Sequence, residues 1–133
     1  MQDLEPNRDN SVDADPQRVL ITGGAGFIGS HLSELLLDRG HHVTVVDNFS
    51  TGLRSNPGRV RSVAARHPRY QVIEGGVSEV LPTLDPARFD RVYHLAAAVG
   101  VRLVVEKPIH TIETNIEETS VVLRFAAARS LPI

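Results

Sequence analysis

The sequence predicts an α/β fold, in which helices cover a doubly wound parallel sheet. An apolar run at residues 18–22 leads directly into a glycine-rich turn and a helical pattern. A second apolar run ends on Asp47, and further short apolar runs alternate with helical segments along the rest of the 133 residues. Strands separated by helices join through right-handed crossovers, so we expect the strand order 3-2-1-4.

The turn after the first strand says most about function. It reads Thr22-Gly23-Gly24-Ala25-Gly26-Phe27-Ile28-Gly29. A side chain at Gly23 would obstruct the tight turn, one at Gly26 would hold the backbone away from phosphates, and Gly29 lets helix and strand pack closely. The helix start offers free N–H groups and a positive dipole end, so the segment predicts a Rossmann-type pyrophosphate cradle. No lysine follows the glycines, which disfavours an ATP-type P-loop and leaves a turn that binds nothing as the alternative.

The first helix is predicted over residues 27–39, and Gly40 ends it. Its apolar residues recur at the spacing of one helix face, which we expect to pack on the sheet: Ile28, Leu32, Leu35 and Leu36. The second strand is predicted over residues 43–47. It ends at Asp47, where a carboxylate can accept both ribose hydroxyls of an adenine dinucleotide.

The rest of the chain supplies two further strands and a long helix. The predicted elements are a loop at residues 48–56, a short helix opened by Pro57 and reaching residue 66, a third strand Tyr70–Glu74, an irregular connection at residues 80–89, a fourth strand at residues 91–96 and a helix at residues 108–129. Four apolar residues are expected on one face of the last helix: Ile109, Ile112, Ile116 and Leu123. Glu113, Glu117 and Glu118 are expected to form a solvent-facing stripe on the same helix.

Composition narrows the function classes. The net charge of −2, with Tyr70 as the one aromatic beside the arginine-rich segment before it, favours a solvated surface over a nucleic-acid site. The absence of cysteine excludes disulfides and thiolate metal sites, and we interpret His41, His42 and His94 as structural rather than metal-binding. No run approaches the ~18 apolar residues of a membrane span. The acidic residues 1–17 lack the features of a signal peptide, which predicts a disordered leader on a cytoplasmic chain.

Four motifs in register resemble the extended short-chain dehydrogenase/reductases. Within them the chain is similar to the NAD-dependent nucleotide-sugar epimerases, dehydratases and decarboxylases, such as UDP-glucose 4-epimerase and UDP-glucuronate decarboxylase. The motifs are the TGxxGxxG turn at residues 22–29, the acid-bearing loop at residues 47–52, the HxAA-like segment at residues 93–97, and Lys107-Pro108 followed by Asn115. The resemblance implies NAD as cofactor and, in a full-length protein, a nucleotide-sugar as partner.

The resemblance also implies which residues contact the cofactor. They are Gly23, Gly26, Phe27, Ile28, Gly29, Asp47, Asn48, Phe49, Ser50, Thr51, Gly52, Gly76, Val77, Leu95, Ala96, Ala97 and Asn115. Two positions depart from the family pattern. Gly76 stands where the family has an Asp that meets the adenine amino group, and Glu118 stands where it has a glycine. Loss of one such hydrogen bond predicts weakened binding, by up to about tenfold.

The family's catalytic pair is not found in this sequence. Its Tyr-x-x-x-Lys follows a fifth strand, whereas Tyr70 and Tyr93 have no Lys four positions later. We therefore expect residues 18–133 to form an NAD-binding domain, incomplete at its C-terminus, without catalytic or metal-binding residues. An open edge at the fourth strand, beside uncovered apolar residues near Ile116 and Leu123, predicts self-association. The alternative function is a non-catalytic dinucleotide-binding module or regulatory relative.

Overall fold

The computed structural model describes residues 15–50, 67–98 and 101–133. Its elements are β1 (Arg18–Thr22), α1 (Phe27–Asp38), β2 (His42–Asp47), β3 (Tyr70–Glu74), α2 (Val77–Val80), two 3₁₀ turns (Leu81–Thr83 and Pro86–Arg88), β4 (Arg91–His94), α3 (Val101–Glu106) and α4 (Pro108–Ala127). The helix predicted from Pro57 to residue 66, and the leader up to residue 14, lie outside the described residues. In the parts of the chain that the structure describes, no helix has the length and hydropathy needed to cross a bilayer.

The four strands are parallel and follow the order β3-β2-β1-β4, as predicted. Strand β1 is central, and Ile21 pairs in register with Val45 of β2 on one side and Tyr93 of β4 on the other. Its apolar residues are almost completely buried because helices cover both faces of the sheet. This explains why β1 reads in the sequence as a continuous apolar run rather than an alternating one.

Two hydrophobic cores lie on opposite faces of the sheet, because successive side chains of a strand point to opposite sides. The first core contains Val19, Ile21, Leu36, Leu37, Val43, Val45 and Tyr70 and is covered by α1. The second core contains Leu20, Val46, Val77, Val80, Leu81, Phe89, Val92, Val122 and Phe125 and is covered by α2, the turn after it and α4. Helices on both faces confirm the predicted doubly wound architecture.

The predicted buried face of α1 is wrong in part. Ile28 and Leu35 are 69% and 46% exposed. The helix instead buries Gly29, Ser30, Ser33, Leu36 and Leu37. The hydroxyl of Ser33 donates to the carbonyl of Gly29 at 2.8 Å, so its burial leaves no hydrogen bond unmade. Small side chains let the helix approach the sheet closely, and an apolar-spacing argument does not detect them.

The predicted face of α4 is also wrong. Ile109, Ile112, Ile116 and Leu123 are all more than half exposed, whereas the helix buries Thr111, Val122, Phe125 and Ala126. Phe125 packs against Phe89 with ring centroids 5.9 Å apart. Thr111 is satisfied by donating its hydroxyl to the Lys107 carbonyl at 2.8 Å. Only the second half of the helix packs on an apolar core, so hydrophobic spacing over its full length indicates the wrong face.

Strand β4 ends at His94, two residues before the predicted end, and its outer edge is not fully open. The amide of Val92 donates to the carbonyl of Pro132 at 3.0 Å. The chain reaches this position because Ser130, with φ of +53°, ends α4 in a left-handed conformation and Leu131 then packs against the second core. The expectation of an open edge is therefore wrong at Val92.

Candidate functional site

A cavity of about 680 Å³ lies at the carboxyl ends of the strands. Its walls are Gly23, Gly26, Phe27, Ile28, Gly29, Val46, Asp47, Asn48, Ser50, Gly75, Gly76, Val77, Leu95, Ala96, Ala97, Ala98, Leu103, His110 and Glu118. The chain runs outward from β1 through β2 to β3 and then returns to β4 on the other side of β1. The cavity thus lies where an open α/β sheet reverses its strand order, the place at which such sheets bind ligands.

The glycines of the turn meet different surroundings. Gly23 has φ of +69°, and a Cβ there would lie 2.6 Å from the amide nitrogen of Ala96. A Cβ on Gly29 would lie 2.5 Å from the Cα of Gly24. At Gly26 the nearest atom to an added Cβ is the Gly23 carbonyl oxygen, at 3.5 Å. Gly23 and Gly29 are therefore required for packing, whereas Gly26 is required only if something occupies the cavity.

The amino terminus of α1 opens onto this cavity. Gly26 caps the helix in an extended conformation and brings no side-chain oxygen, and the first turn contains no acidic residue. The amides of the first turn have no carbonyl of their own helix to bond, and the positive end of the helix dipole lies beside them. Phe27 and Ile28, also in this first turn, are largely exposed. This arrangement suits an anionic group with several oxygen acceptors.

Asp47 lies at the end of β2 and is held by two backbone amides. One carboxylate oxygen accepts from the Ala25 amide at 2.9 Å, and the other accepts from the Phe49 amide at 2.8 Å. A carboxylate has about four lone-pair sites, so each oxygen keeps capacity for a further donor from the cavity. Asp47 thus also joins the glycine turn to the loop after β2.

Two residues with expected cofactor contacts lie outside the cavity wall. Phe49 has φ of +53°, and its side chain packs against the first core. Asn115 accepts from the Ala98 amide at 2.6 Å and donates to the Ala98 carbonyl at 3.3 Å. The structure therefore shows Phe49 supporting the loop after β2 and Asn115 supporting the segment after β4. Thr51 and Gly52 lie outside the described residues.

The other predicted site residues lie together along the wall. They are Gly23, Gly26, Phe27, Ile28, Gly29, Asp47, Asn48, Ser50, Gly76, Val77, Leu95, Ala96 and Ala97. Sequence reasoning missed six wall residues: Val46, Gly75, Ala98, Leu103, His110 and Glu118. Three of them directly adjoin predicted residues, so extending each motif by one position would find Val46, Gly75 and Ala98. Leu103 and His110 carry no signal in the sequence.

Hydroxyl and imidazole groups fix the end of β4. The Thr22 hydroxyl lies 2.7 Å from Nδ1 of His94 and accepts from the Ala96 amide at 3.4 Å. Thr119 of α4 approaches the other ring nitrogen of His94 at 3.5 Å. Burial lowers the pKa of His94, so the ring is neutral at pH 7 and serves as a structural bridge.

Glu118 does not lie on a solvent-facing stripe, and that expectation is wrong for this residue. Glu113 and Glu117 are exposed, whereas Glu118 is half-buried and lines the cavity. Burial, and then the charge of Glu117, raise the pKa of the Glu118 carboxyl. The difference arises because Asn115, Glu118 and Val122 share the face of α4 that looks toward the strand ends and the second core.

The two tyrosines of the chain do not line this cavity. Tyr70 belongs to the first core, where burial raises its pKa to about 12. A phenol of that pKa stays protonated at neutral pH and is a poor proton acceptor. The polar groups of the cavity wall are concentrated at the turn after β1, at Asp47 and on α4.

Comparison with known proteins agrees with this geometry. A profile of the family described as GDP-mannose 4,6 dehydratase matches residues 20–131. UDP-N-acetyl-alpha-D-glucosaminuronate decarboxylase of Bacillus cytotoxicus is 42% identical over 110 residues, which cover 83% of this chain and 33% of that protein. The enzyme WbmG of Bordetella bronchiseptica, in complex with NAD, superposes with a TM-score of 0.72 and 30% identity over 90% of this chain and 36% of its own. UDP-glucose 4-epimerase of Thermus thermophilus, also in complex with NAD, gives a TM-score of 0.65 and 35% identity over 82% and 33%.

The chain spans about a third of the length of these relatives. The matched residues include most of β1, all of β2, β3, β4, α1 and α4, and every described residue of the cavity wall. Fold, motif spacing and profile thus identify the same group. The chain belongs to the GDP-mannose 4,6 dehydratase family, among the NAD-dependent epimerases and dehydratases of the extended short-chain dehydrogenase/reductase type.

Proposed function

We propose that this chain binds NAD and forms the cofactor-binding part of a nucleotide-sugar epimerase, dehydratase or decarboxylase. One observation carries the proposal: the uncapped start of α1, the open space at Gly26 and the carboxylate of Asp47 meet in one cavity. An adenine dinucleotide presents a diphosphate beside a ribose diol, which are the acceptor and donor groups that this wall complements. NAD would supply the hydride acceptor and donor for chemistry on a sugar.

Each part of the wall has a proposed role. The turn and first helical turn at residues 26–29 hold the pyrophosphate, and Asp47, with Asn48 and Ser50 beside it, receives the adenosine ribose. The base then extends toward β3, the neighbour of β2 on the outer side of the sheet, where Gly76 and Val77 line the cavity. The other half of the dinucleotide passes over Leu95, Ala96 and Ala97.

The activity of a complete protein is a proposal of the same kind. Relatives named as decarboxylase and epimerase support a nucleotide-sugar substrate. The chain's own residues would bind and orient NAD, while the proton-transfer residues would have to come from outside these 133 residues. The alternative, a dinucleotide-binding module without catalysis, uses the same cavity wall and needs no proton-transfer residue.

Calorimetric titration with NAD and NADP tests the proposal. The 2′-phosphate of NADP would bring negative charge to Asp47, at a cost of up to about 4 kcal/mol for a charge pair at 4 Å and an effective dielectric near 20. With solvent screening we expect NAD to bind more tightly by about 1–3 kcal/mol. Equal affinity of the wild-type chain for the two dinucleotides would contradict the proposed role of Asp47, and absence of NAD binding would contradict the proposed function.

Asp47→Asn is the matched variant for this titration. It keeps the size of the side chain and one acceptor oxygen but removes the charge. The difference in affinity between NAD and NADP should therefore become smaller. Asp47→Ala is a poorer probe, because it also removes the acceptor of both the Ala25 and Phe49 amides. Its effect on binding would include a rearranged turn.

A further inference from the structure

Glu118 is a carboxyl group in the cavity wall that the proposed function does not use. It comes from α4, whereas Asp47 comes from the sheet. Asp47 accepts hydrogen bonds from two backbone amides. By contrast, none of the residues that the structure describes donates a hydrogen bond to the Glu118 carboxyl, which lines the cavity. A half-buried acceptor beside a site for an anionic ligand is unfavourable unless a ligand donor faces it.

Contacts on either side of Glu118 fix it on the face of α4 that lines the cavity. One turn before it, Asn115 bonds the backbone of Ala98. One turn after it, Val122 packs in the second core together with Val77, the first residue of α2. Glu118 lies between these two contacts on the same helix face. Because α4 also packs against α2, which begins at Val77, the end of the cavity at Gly76 and Val77 lies on the same side of the sheet as Glu118.

That end of the cavity lies beyond Asp47 when counted from the pyrophosphate turn. β1 carries the turn, β2 carries Asp47, and β3 leads to Gly76 and Val77. If Asp47 receives the adenosine ribose, the base extends to the β3 end. Gly76 and Val77 bring no side-chain hydrogen-bonding group to this wall, whereas α4 brings two polar groups to the cavity, His110 in its first turn and Glu118 about two turns later. Of the two, Glu118 lies nearer along the helix to Val122 and the second core.

We propose that Glu118 accepts a hydrogen bond from the exocyclic amino group of adenine and thereby makes the site selective for adenine nucleotides. The inference rests on the proposed function, because it needs the adenosine half to lie over β2 and β3. A carboxyl group accepts from an N–H donor in either protonation state. The two positions at which the chain departs from its family pattern, Gly76 and Glu118, thus lie in walls of one cavity.

The test compares two mononucleotides that differ only in the amino group, AMP and purine riboside 5′-monophosphate. Their dissociation constants are measured by calorimetry or ligand-observed NMR for the wild-type chain and three variants. A hydrogen bond to a carboxylate predicts that the wild type binds AMP about tenfold more tightly or better. Glu118→Ala reduces this ratio to about twofold or less, because it removes the acceptor that distinguishes a base with an amino group from one without.

Two variants serve as controls. Glu117→Ala removes the same charge from the exposed neighbouring position and keeps the full AMP preference. Glu118→Gln keeps an acceptor oxygen and retains most of the preference, which separates hydrogen bonding from charge. Circular dichroism of each variant verifies the fold, and alanine at an exposed or half-buried helix position favours the helix.

The outcomes separate the two proposals. If the wild type binds NAD but Glu118→Ala keeps the AMP preference, or the wild type shows none, the role of Glu118 is wrong and the proposed function stands. If the wild type binds no NAD, the proposed function fails and this inference fails with it. Loss of the preference in Glu118→Ala alone, with both controls intact, supports the assignment.

Discussion

At the scale of single residues, the space around a glycine separates what the fold needs from what a ligand needs. Gly29 faces the Cα of Gly24 so closely that any side chain would collide with backbone. Gly26 lies in the same motif with ordinary φ of −70° and open space toward the cavity. The motif therefore contains two glycines that packing requires, Gly23 and Gly29, and one, Gly26, that leaves room for a bound group.

Gly26→Val and Gly29→Val should consequently behave differently. We expect Gly26→Val to change the free energy of unfolding by no more than about 1 kcal/mol, as for an unfavourable residue at a helix cap. It should nevertheless abolish NAD binding, because the side chain occupies the cavity beside the helix start. Gly29→Val should cost about 3 kcal/mol or more through overpacking against backbone.

Urea denaturation and calorimetric titration of the two variants measure these effects. A Gly26→Val protein that is stable and still binds NAD with wild-type affinity would show that the pyrophosphate does not lie at this turn. Gly29→Val tests only the steric argument. A small loss of stability there would contradict the packing role assigned to that glycine.

His94 predicts a pH dependence of folding. Burial lowers the pKa of His94 below the ordinary value of about 6.5 for a histidine, so the unfolded chain binds a proton more readily than the folded chain. Stability is therefore highest above about pH 6.5 and decreases as the pH falls through that value toward the folded pKa. Urea midpoints measured between pH 8 and pH 5 should show this loss.

Matched histidine variants identify the group responsible. His94→Asn should flatten the pH dependence, because the buried titrating ring is removed. His42→Asn, at an exposed position on the same sheet, should leave the slope unchanged. A slope that persists in His94→Asn would assign the pH dependence to other groups.

At the scale of elements, the backbone at the end of α4 adopts a strained conformation that a single substitution can relieve. The Leu131 amide donates to the Ala126 carbonyl at 2.9 Å across Ser130, a pattern that places Ser130 in the left-handed region. Glycine adopts this conformation without the steric cost that a serine side chain meets. Ser130→Gly should therefore stabilise the chain by about 0.5–1 kcal/mol.

A thermal melt checks this value, and Ala127→Gly provides the comparison. Ala127 is the last residue of α4, and glycine there should lower stability by up to about 1 kcal/mol because it lacks the helix propensity of alanine. Destabilisation by both substitutions would show that Ser130 is not held in a left-handed conformation in solution.

The strands could be predicted from the sequence better than the helix faces. β3 has the predicted bounds, and β2 begins one residue earlier than expected. A strand that is buried on both faces can be recognised by its apolar composition, without any periodic pattern. The buried stripe of α1 instead depends on glycine and serine, and that of α4 on a threonine, whose burial follows from hydrogen bonds rather than hydrophobicity.

The candidate site shows the same limit. Positions in the local turn motif and at strand ends were predictable, because topology brings the carboxyl ends of parallel strands to one edge. Phe49 and Asn115 were placed on the wall only by resemblance, and the structure gives them supporting contacts. The place of Glu118 in the cavity wall depends on how α4 is rotated about its axis. The spacing of the isoleucines of that helix, which are exposed, predicted a different rotation.

At the scale of the whole molecule, α4 presents an uncovered apolar stripe. Ile116 and Leu123, where the sequence predicted an uncovered patch, are 65% and 54% exposed, and Ile109 and Ile112 extend the stripe by two turns. The Val92 amide at the sheet edge is already bonded to Pro132. We therefore expect self-association through the helix rather than through strand addition.

Sedimentation velocity over a range of concentrations measures this association. The double variant Ile112→Lys and Ile116→Lys should shift the chain toward monomer without lowering its melting temperature, because both positions are exposed. A wild-type chain that remains monomeric at several hundred micromolar would contradict the prediction. Thr114→Lys, on a neighbouring half-buried position, controls for added charge.

The close approach of Gly23 to Ala96 couples ligand binding at the turn after β1 to the position of α4. A side chain at Gly23 would collide with the segment after β4, so the turn and this segment lie against each other. The segment is in turn tied to α4 through the two bonds between Ala98 and Asn115. A ligand that steadies the turn therefore also suppresses opening fluctuations at Ala98, and deuterium uptake at the Ala98 amide slows on binding. By thermodynamic reciprocity, a partner that binds α4 and restrains Asn115 raises the affinity of the turn for its ligand. The factor equals the one by which that ligand raises the affinity of α4 for the partner.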